Sequence, residues 1–89
     1  ALHACMDALG IGPGDEVIVP PITFTATANC ARFVGATPVF ADVTPDGHID
    51  PDQIKRKITP RTKAVIAVDY AGLPCDYARI LDLCRTAGL

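Results

Sequence analysis

Three short runs, Glu16–Val19, Val39–Val43 and Ala64–Val68, are dominated by β-branched and aliphatic residues, and each is separated from the next by a stretch with helical spacing. Runs this short and this apolar suit strands covered on both faces, and their alternation with helices dictates a mainly parallel sheet with helices packed on it. The order reads α-β-α-β-α-β-α, with right-handed crossovers. The fold class is α/β.

The helices carry their own punctuation. Leu2, Cys5, Met6 and Leu9 follow the spacing of one buried face, and Gly10 stands where a left-handed C-cap is wanted. Pro13-Gly14 makes the turn into the first strand, and Pro20-Pro21 ends that strand. Thr23 or Thr25 caps a second helix through Val34, closed by Gly35. Pro38 is tolerable at a strand start or edge. After the turn Thr44-Pro45-Asp46-Gly47, the stretch Asp50-Pro51-Asp52-Gln53 offers an N-cap, a Pro at the first helical position and a capping-box Gln. Ile54 and Ile58 form the buried stripe of that helix while Lys55, Arg56 and Lys57 face water. Tyr77, Ile80, Leu81 and Cys84 mark a last helix, capped by Gly88.

Composition excludes several classes. With 49% hydrophobic and 20% charged residues and a net charge of -2 over 89 residues, the chain is one globular unit and not a disordered tail. Its longest apolar runs fall far short of the roughly 18 residues that cross a bilayer, and its basic residues form no patch, so neither membrane nor nucleic acid is an expected partner. The first residue is Ala1 and the last pair Gly88-Leu89 follows a helix, so both ends read as cut and the chain as a piece of a longer protein. Cys5, Cys30, Cys75 and Cys84 show no C-x-x-C spacing and read as free thiols.

Most apparent motifs reduce to local structure. Gly10 to Gly14 resembles a dinucleotide loop but follows a helix and opens a strand, the reverse of what that loop requires. Residues 42–53 resemble a calcium loop, with Asp42, Thr44, Asp46, Asp50 and Gln53 in ligand positions, yet the closing Glu is missing and Pro45 and Pro51 interrupt it. No Ser exists for a hydrolase triad. Two segments remain. Asp69-Tyr70-Ala71-Gly72 and Pro20-Pro21-Ile22-Thr23-Phe24-Thr25 both follow parallel strands, at the end where open α/β sheets bind ligands, and Phe24 there would be poorly covered as a core residue.

The blocks Ala8 to Pro20, Ile22 to Asn29, Gly35 to Phe40 and Ile58 to Ala64 resemble, in order, those of the DegT/DnrJ/EryC1/StrS sugar aminotransferases. The resemblance covers the whole chain. It implies the N-terminal part of the large domain of a pyridoxal-phosphate-dependent transferase of aspartate-aminotransferase fold type I, with residues 1–89 a partial cofactor-binding domain truncated at both ends. Pro21 to Phe24 with Ala28-Asn29-Cys30, and Val68 to Asp76, look most like the transaminases that aminate C4 of a UDP-linked 4-keto-6-deoxy N-acetyl sugar on the way to pseudaminic acid. Many other members have His where Asp69 stands.

Carried over by that resemblance, Phe24 corresponds to the aromatic residue that stacks on the cofactor ring. The phosphate loop would precede Ala1, while the Asp that pairs with the pyridinium nitrogen and the Schiff-base Lys would follow Leu89. Lys55, Lys57 and Lys63 do not match that Lys. The segment thus carries no catalytic residue and no metal ligand, and is expected to be inactive alone. The whole enzyme is expected to be a cytoplasmic homodimer using pyridoxal 5'-phosphate, a UDP-sugar and an amino acid, glutamate by expectation, in polysaccharide or amino-sugar biosynthesis. Two other readings stand beside it. One is a sugar 3-dehydratase of the same family, in which His replaces the Schiff-base Lys; the other is a non-catalytic α/β module binding calcium at 42–53.

Overall fold

The computed structural model describes residues 1–21, 23 and 25–89, and Ile22 and Phe24 lie outside the described residues. Four α-helices, α1 (Leu2–Ala8), α2 (Thr25–Phe33), α3 (Pro51–Lys57) and α4 (Tyr77–Ala87), alternate with strands β1 (Glu16–Val19), β2 (Thr37–Phe40) and β3 (Thr62–Val65). The sheet order is β2-β1-β3, and both pairings are parallel. This is the α/β architecture that the alternation of strands and helices requires.

β1 is the central strand, and its side chains alternate between two cores. Val17 and Val19 join Met6, Ile11, Cys30, Ala31 and Ala36 on the α1/α2 face. Ile18 joins Ala41, Ile49, Ile54, Cys75 and Ile80 on the α3/α4 face. Val17, Ile18 and Val19 have no exposed surface, and burying each one stabilises by roughly 1.5–3 kcal/mol relative to solvent. No helix among the described residues is long and apolar enough to cross a membrane.

Strand ends differ from the sequence reading for reasons that lie in the partner strands. β2 begins at Thr37, two residues before the expected start, so Pro38 lies inside it, opposite Val17. The ladder explains why this is tolerated. Thr37 donates to the Asp15 carbonyl and Ala41 to that of Val19, so odd-numbered residues point their N–H groups at β1 and Pro38 lacks a donor only on the outer side. The expected end at Val43 is instead part of a hairpin: Val43 bridges Ile49 antiparallel, and Asp50 donates to the Asp42 carbonyl. β3 likewise begins early, at Thr62. After Ile66, which donates to the Ile18 carbonyl, β1 has ended and offers no further partner.

Two helices bury a narrower face than their apolar spacing predicts. In α1 only Met6 is fully buried, with Leu2 partly buried against the same core; Cys5 is exposed and Leu9, at the C-cap, is 66% exposed, because the main neighbour of α1 is α2 and they lie off that face. In α4 the buried stripe is Ile80 with Leu83 and Cys84, while Leu81 and Tyr77 face outward. Asp50 caps α3 as expected, accepting from the Asp52 N–H at 2.9 Å. The reciprocal bond from Gln53 is not made, since the Asp50 N–H is already held by Asp42. The end of α2 is fixed by Gly35, whose φ of +80° is left-handed and where a Cβ would stand 3.0 Å from Pro13 Cγ.

Candidate functional site

The topology decides where a ligand would sit. The chain leaving β1 passes to α2 on one face, whereas the chain leaving the adjacent β3 passes to α4 on the other. Neighbouring parallel strands whose exits diverge to opposite faces leave a crevice outside their carboxyl ends, the switch point at which open α/β sheets bind ligands. The two candidate ligand segments of the sequence are the ones that follow β1 and β3 in the chain. The first runs from Pro20 through Thr23 to Thr25, where the Thr23 and Thr27 hydroxyls are 2.7 Å apart. Phe24, the candidate cofactor-stacking residue, belongs to this segment but lies outside the described residues.

The second segment is built around Asp69. Its Oδ1 accepts the Tyr77 hydroxyl at 2.6 Å and the Cys75 N–H at 3.1 Å, and its main-chain carbonyl accepts the Gly72 N–H at 3.0 Å. The Cys75 thiol donates to the Val68 carbonyl at 3.1 Å. Within the loop, Ala71 (φ 54°, ψ 25°) and Gly72 (φ 79°) are successive left-handed residues. The left-handed region costs a non-glycine residue roughly 1–2 kcal/mol, so Ala71 persists because its surroundings hold it. The Tyr70 ring rests on Gly47, where a Cβ would come within 2.8 Å of it.

Electrostatics follow from the same bonds. The Tyr77 hydroxyl, then the Cys75 N–H, hold the Asp69 carboxyl below the usual carboxylate range, with the nearby His48 adding a smaller effect in the same direction. The Asp69 bond, with some desolvation, pushes the Tyr77 hydroxyl up to about 12. Burial, followed by Asp69, raises the Cys75 thiol, and burial likewise raises Cys30 and Cys84. All four thiols are free, as read from their spacing. His48 Nε2 is buried without a hydrogen-bond partner among the described residues.

Beside this loop, a cavity of about 500 Å³ lies between the 43–49 hairpin and the start of α4, with His48, Asp50, Cys75, Asp76 and Arg79 among its lining residues. Of its three lining carboxylates, Asp46, Asp50 and Asp76, two have local work: Asp50 caps α3, and Asp76 caps α4 by accepting the Arg79 N–H. Outside the cavity, Asp42 Oδ1 accepts the Val43 N–H. Among the described residues, no three His, Cys, Asp or Glu side chains converge as a metal site, so the spacing that resembles a calcium loop folds as a hairpin and a helix start.

The structure therefore brings Asp69 together with Cys75 and Tyr77, and of these the sequence points to Asp69 alone as a site residue. By its spacing Tyr77 belongs to the apolar face of the last helix, whereas in the structure its hydroxyl serves Asp69. Its place one residue after the N-cap Asp76 was the available signal, since a first-turn side chain lies close to the strand end that feeds the helix. The three lysines stand away from the crevice: Lys55 and Lys57 are exposed on α3, and Lys63 is exposed near the amino end of β3.

Comparison with known proteins places this arrangement. The chain is 49% identical over 90 residues to the spore coat polysaccharide biosynthesis protein SpsC of Bacillus subtilis (strain 168), covering 100% of this chain and 23% of that protein. It is 51% identical over 90 residues to the UDP-N-acetyl-3-dehydro-alpha-D-glucosamine 3-aminotransferase of Acidithiobacillus ferrooxidans, covering 100% of this chain and 24% of that protein. Among solved structures, NtdA from Bacillus subtilis with bound cofactor PMP superposes with a TM-score of 0.95 at 38% identity, over 100% of this chain and 21% of that one. The chain thus spans about a quarter of the length of these relatives, and its fold is the one expected from the resemblance, that of the pyridoxal-phosphate-dependent aminotransferases. A family model described as the DegT/DnrJ/EryC1/StrS aminotransferase family matches residues 1–89, and the chain belongs to that family.

Proposed function

We propose that residues 1–89 are part of the large, cofactor-binding domain of a pyridoxal-phosphate-dependent enzyme that transfers an amino group to a nucleotide-linked keto sugar. The acceptor is C4 of a UDP-linked 4-keto-6-deoxy N-acetyl sugar, the donor is glutamate, and the enzyme works as a cytoplasmic homodimer in polysaccharide or amino-sugar biosynthesis. What supports this reading is the juxtaposition of the carboxyl ends of the adjacent parallel strands β1 and β3, which the Phe24 segment and the Asp69 loop follow in the chain. The family match, and a relative named as a 3-aminotransferase of a UDP-linked 3-dehydro sugar, support amino transfer to a keto sugar.

The residues present fit one flank of a cofactor site. Thr25 and Ala26 at the start of α2 are small and exposed, and would let a flat ring approach the helix closely. Phe24 would hold one face of that ring and fix its orientation. The bound cofactor supplies an electron sink for the carbon from which the amino group is moved. No lysine of this chain stands at the crevice, so in this reading the chain's share of the work is to bind and orient, and proton transfer belongs to other parts of the enzyme.

The test is made on the full-length protein. Purified with pyridoxal 5'-phosphate, it should show the absorbance of the bound cofactor, lose it on addition of L-glutamate and regain it with the UDP-linked 4-keto sugar, giving a product of amino-sugar mass. A product formed by loss of water would instead establish the 3-dehydratase. Aromatic stacking contributes about 0.5–1.5 kcal/mol beyond area, so Phe24→Ala should weaken cofactor retention by up to about tenfold, while Phe24→Tyr and Phe24→Trp keep most of it. If the melting point of cofactor-free Phe24→Ala collapses while affinity of the folded fraction stays unchanged, Phe24 is a packing residue and the stacking role is wrong.

A further inference from the structure

The 69–74 loop is a shaped segment that the core does not need. Every residue from Asp69 to Pro74 is exposed, so the loop buries no side chain of its own. Yet it is held at three points. Asp69 Oδ1 ties Cys75 and Tyr77 together, the Asp69 carbonyl closes the turn on Gly72, and Tyr70 is seated on Gly47 of the neighbouring hairpin. It also carries a non-glycine left-handed residue, Ala71. A strained, exposed loop with few core contacts would ordinarily relax, and one that is fixed serves something outside the core. It follows β3 at the carboxyl end of the sheet, and Tyr70 (45% exposed) and Leu73 (57% exposed) are not covered by the described residues.

We propose that Asp69 is a positioning residue for the nucleotide-linked sugar: by holding the Cys75 N–H and the Tyr77 hydroxyl on one oxygen, it fixes the 70–75 loop as one wall of the substrate crevice. This rests on the reading of the chain as part of a sugar aminotransferase. Asp69 itself does not touch the reacting atoms; it acts through the loop. The groups facing its carboxylate are Tyr77 and Cys75, with His48 close by on the hairpin.

The test uses the full-length enzyme and the variants Asp69→Ala, Asp69→Asn and Tyr77→Phe. Four quantities are read: cofactor absorbance, melting temperature, kcat and KM for the UDP-linked 4-keto sugar, and the Kd of the UDP-linked amino-sugar product on cofactor-free protein by calorimetry. Loss of both bonds to a carboxylate should raise KM and Kd about tenfold in Asp69→Ala, with kcat within about threefold and cofactor absorbance retained. Asp69→Asn keeps an acceptor oxygen and should return to within about threefold of the parent, with Tyr77→Phe between the two. A purely structural role would lower the melting temperature without this split between KM and kcat. If Asp69→Ala fails to fold, Tyr77→Phe decides, because it removes a single hydroxyl. A parent enzyme that aminates the sugar while every folded variant stays within about twofold of it in KM and Kd overturns the assignment and leaves the function standing. A parent that neither retains pyridoxal 5'-phosphate nor binds the sugar overturns the function, and this assignment with it.

Discussion

The bond between Tyr77 and Asp69 ties protein stability to pH at two ends of the scale. Asp69 is held below the ordinary carboxylate range, so its contribution is present above about pH 4, where an unfolded carboxyl titrates, and is lost as pH falls through the lower folded value. Tyr77 is shifted the other way. With its hydroxyl pushed up to about 12, its contribution is complete below about pH 10, the range of a free tyrosine, and fades as pH rises from there through about 12. Tyr77→Phe should therefore melt below the parent at neutral pH, and the two melting curves should converge at the alkaline end of that window. Parallel curves from pH 8 to 12 would contradict the assignment of the shift to this bond. At this scale the sequence was partly legible: Asp69 stood out because it follows a strand, while Tyr77 was hidden by its apolar spacing. A residue with both an aromatic body and a hydroxyl satisfies a hydrophobic pattern while doing polar work.

At the scale of elements, α3 shows which local signals hold weight. It has seven residues, too few to be stable on propensity alone, and depends on its cap and on Ile54, which is fully buried. Asp50→Ala removes the bond to the Asp52 N–H and should cost about 1 kcal/mol. Asp52→Ala removes a 2.6 Å ion pair to Arg79 between side chains that are 68% and 54% exposed, and should cost between about 0 and 1 kcal/mol. Chemical denaturation of the two variants in the full-length protein should rank them in that order; equal losses would mean that the ion pair does more than exposed pairs do. Caps and turns were readable because each is settled within four residues. Strand limits were not, since β2 starts where Asp15 offers a carbonyl and β3 stops where β1 ends, and neither fact is written in the strand's own residues. The same holds for the exposed Leu81 and the half-buried Leu83, whose roles depend on where α3 lies.

For the whole molecule, alternation of strands and helices implies a parallel sheet but leaves the strand order open. β3 could follow β2 outward or return past it to the other side of β1, and only the second arrangement, the observed one, creates the crevice. The sequence thus points to the two segments after β1 and β3 but not to the strand order that makes those strand ends neighbours. That return has a further consequence, for the order in which the molecule is made. Nearly all of the α1/α2 core lies between Met6 and Ala36, with Ala64 the single later member, whereas every member of the α3/α4 core except Ile18 lies at or beyond Ala41. A chain emerging from the ribosome can close the first core from neighbouring segments before the residues of the second exist, and closing short loops is faster than closing long ones. In refolding of the full-length protein, pulsed alkylation should find Cys30, buried in the first core, protected before Cys75, buried in the second; the reverse order would refute it. On this account Ile18 spends the early part of the protein's life uncovered, on the open face of a half-built sheet, waiting for Ile49, Ile54 and Ile80 to arrive.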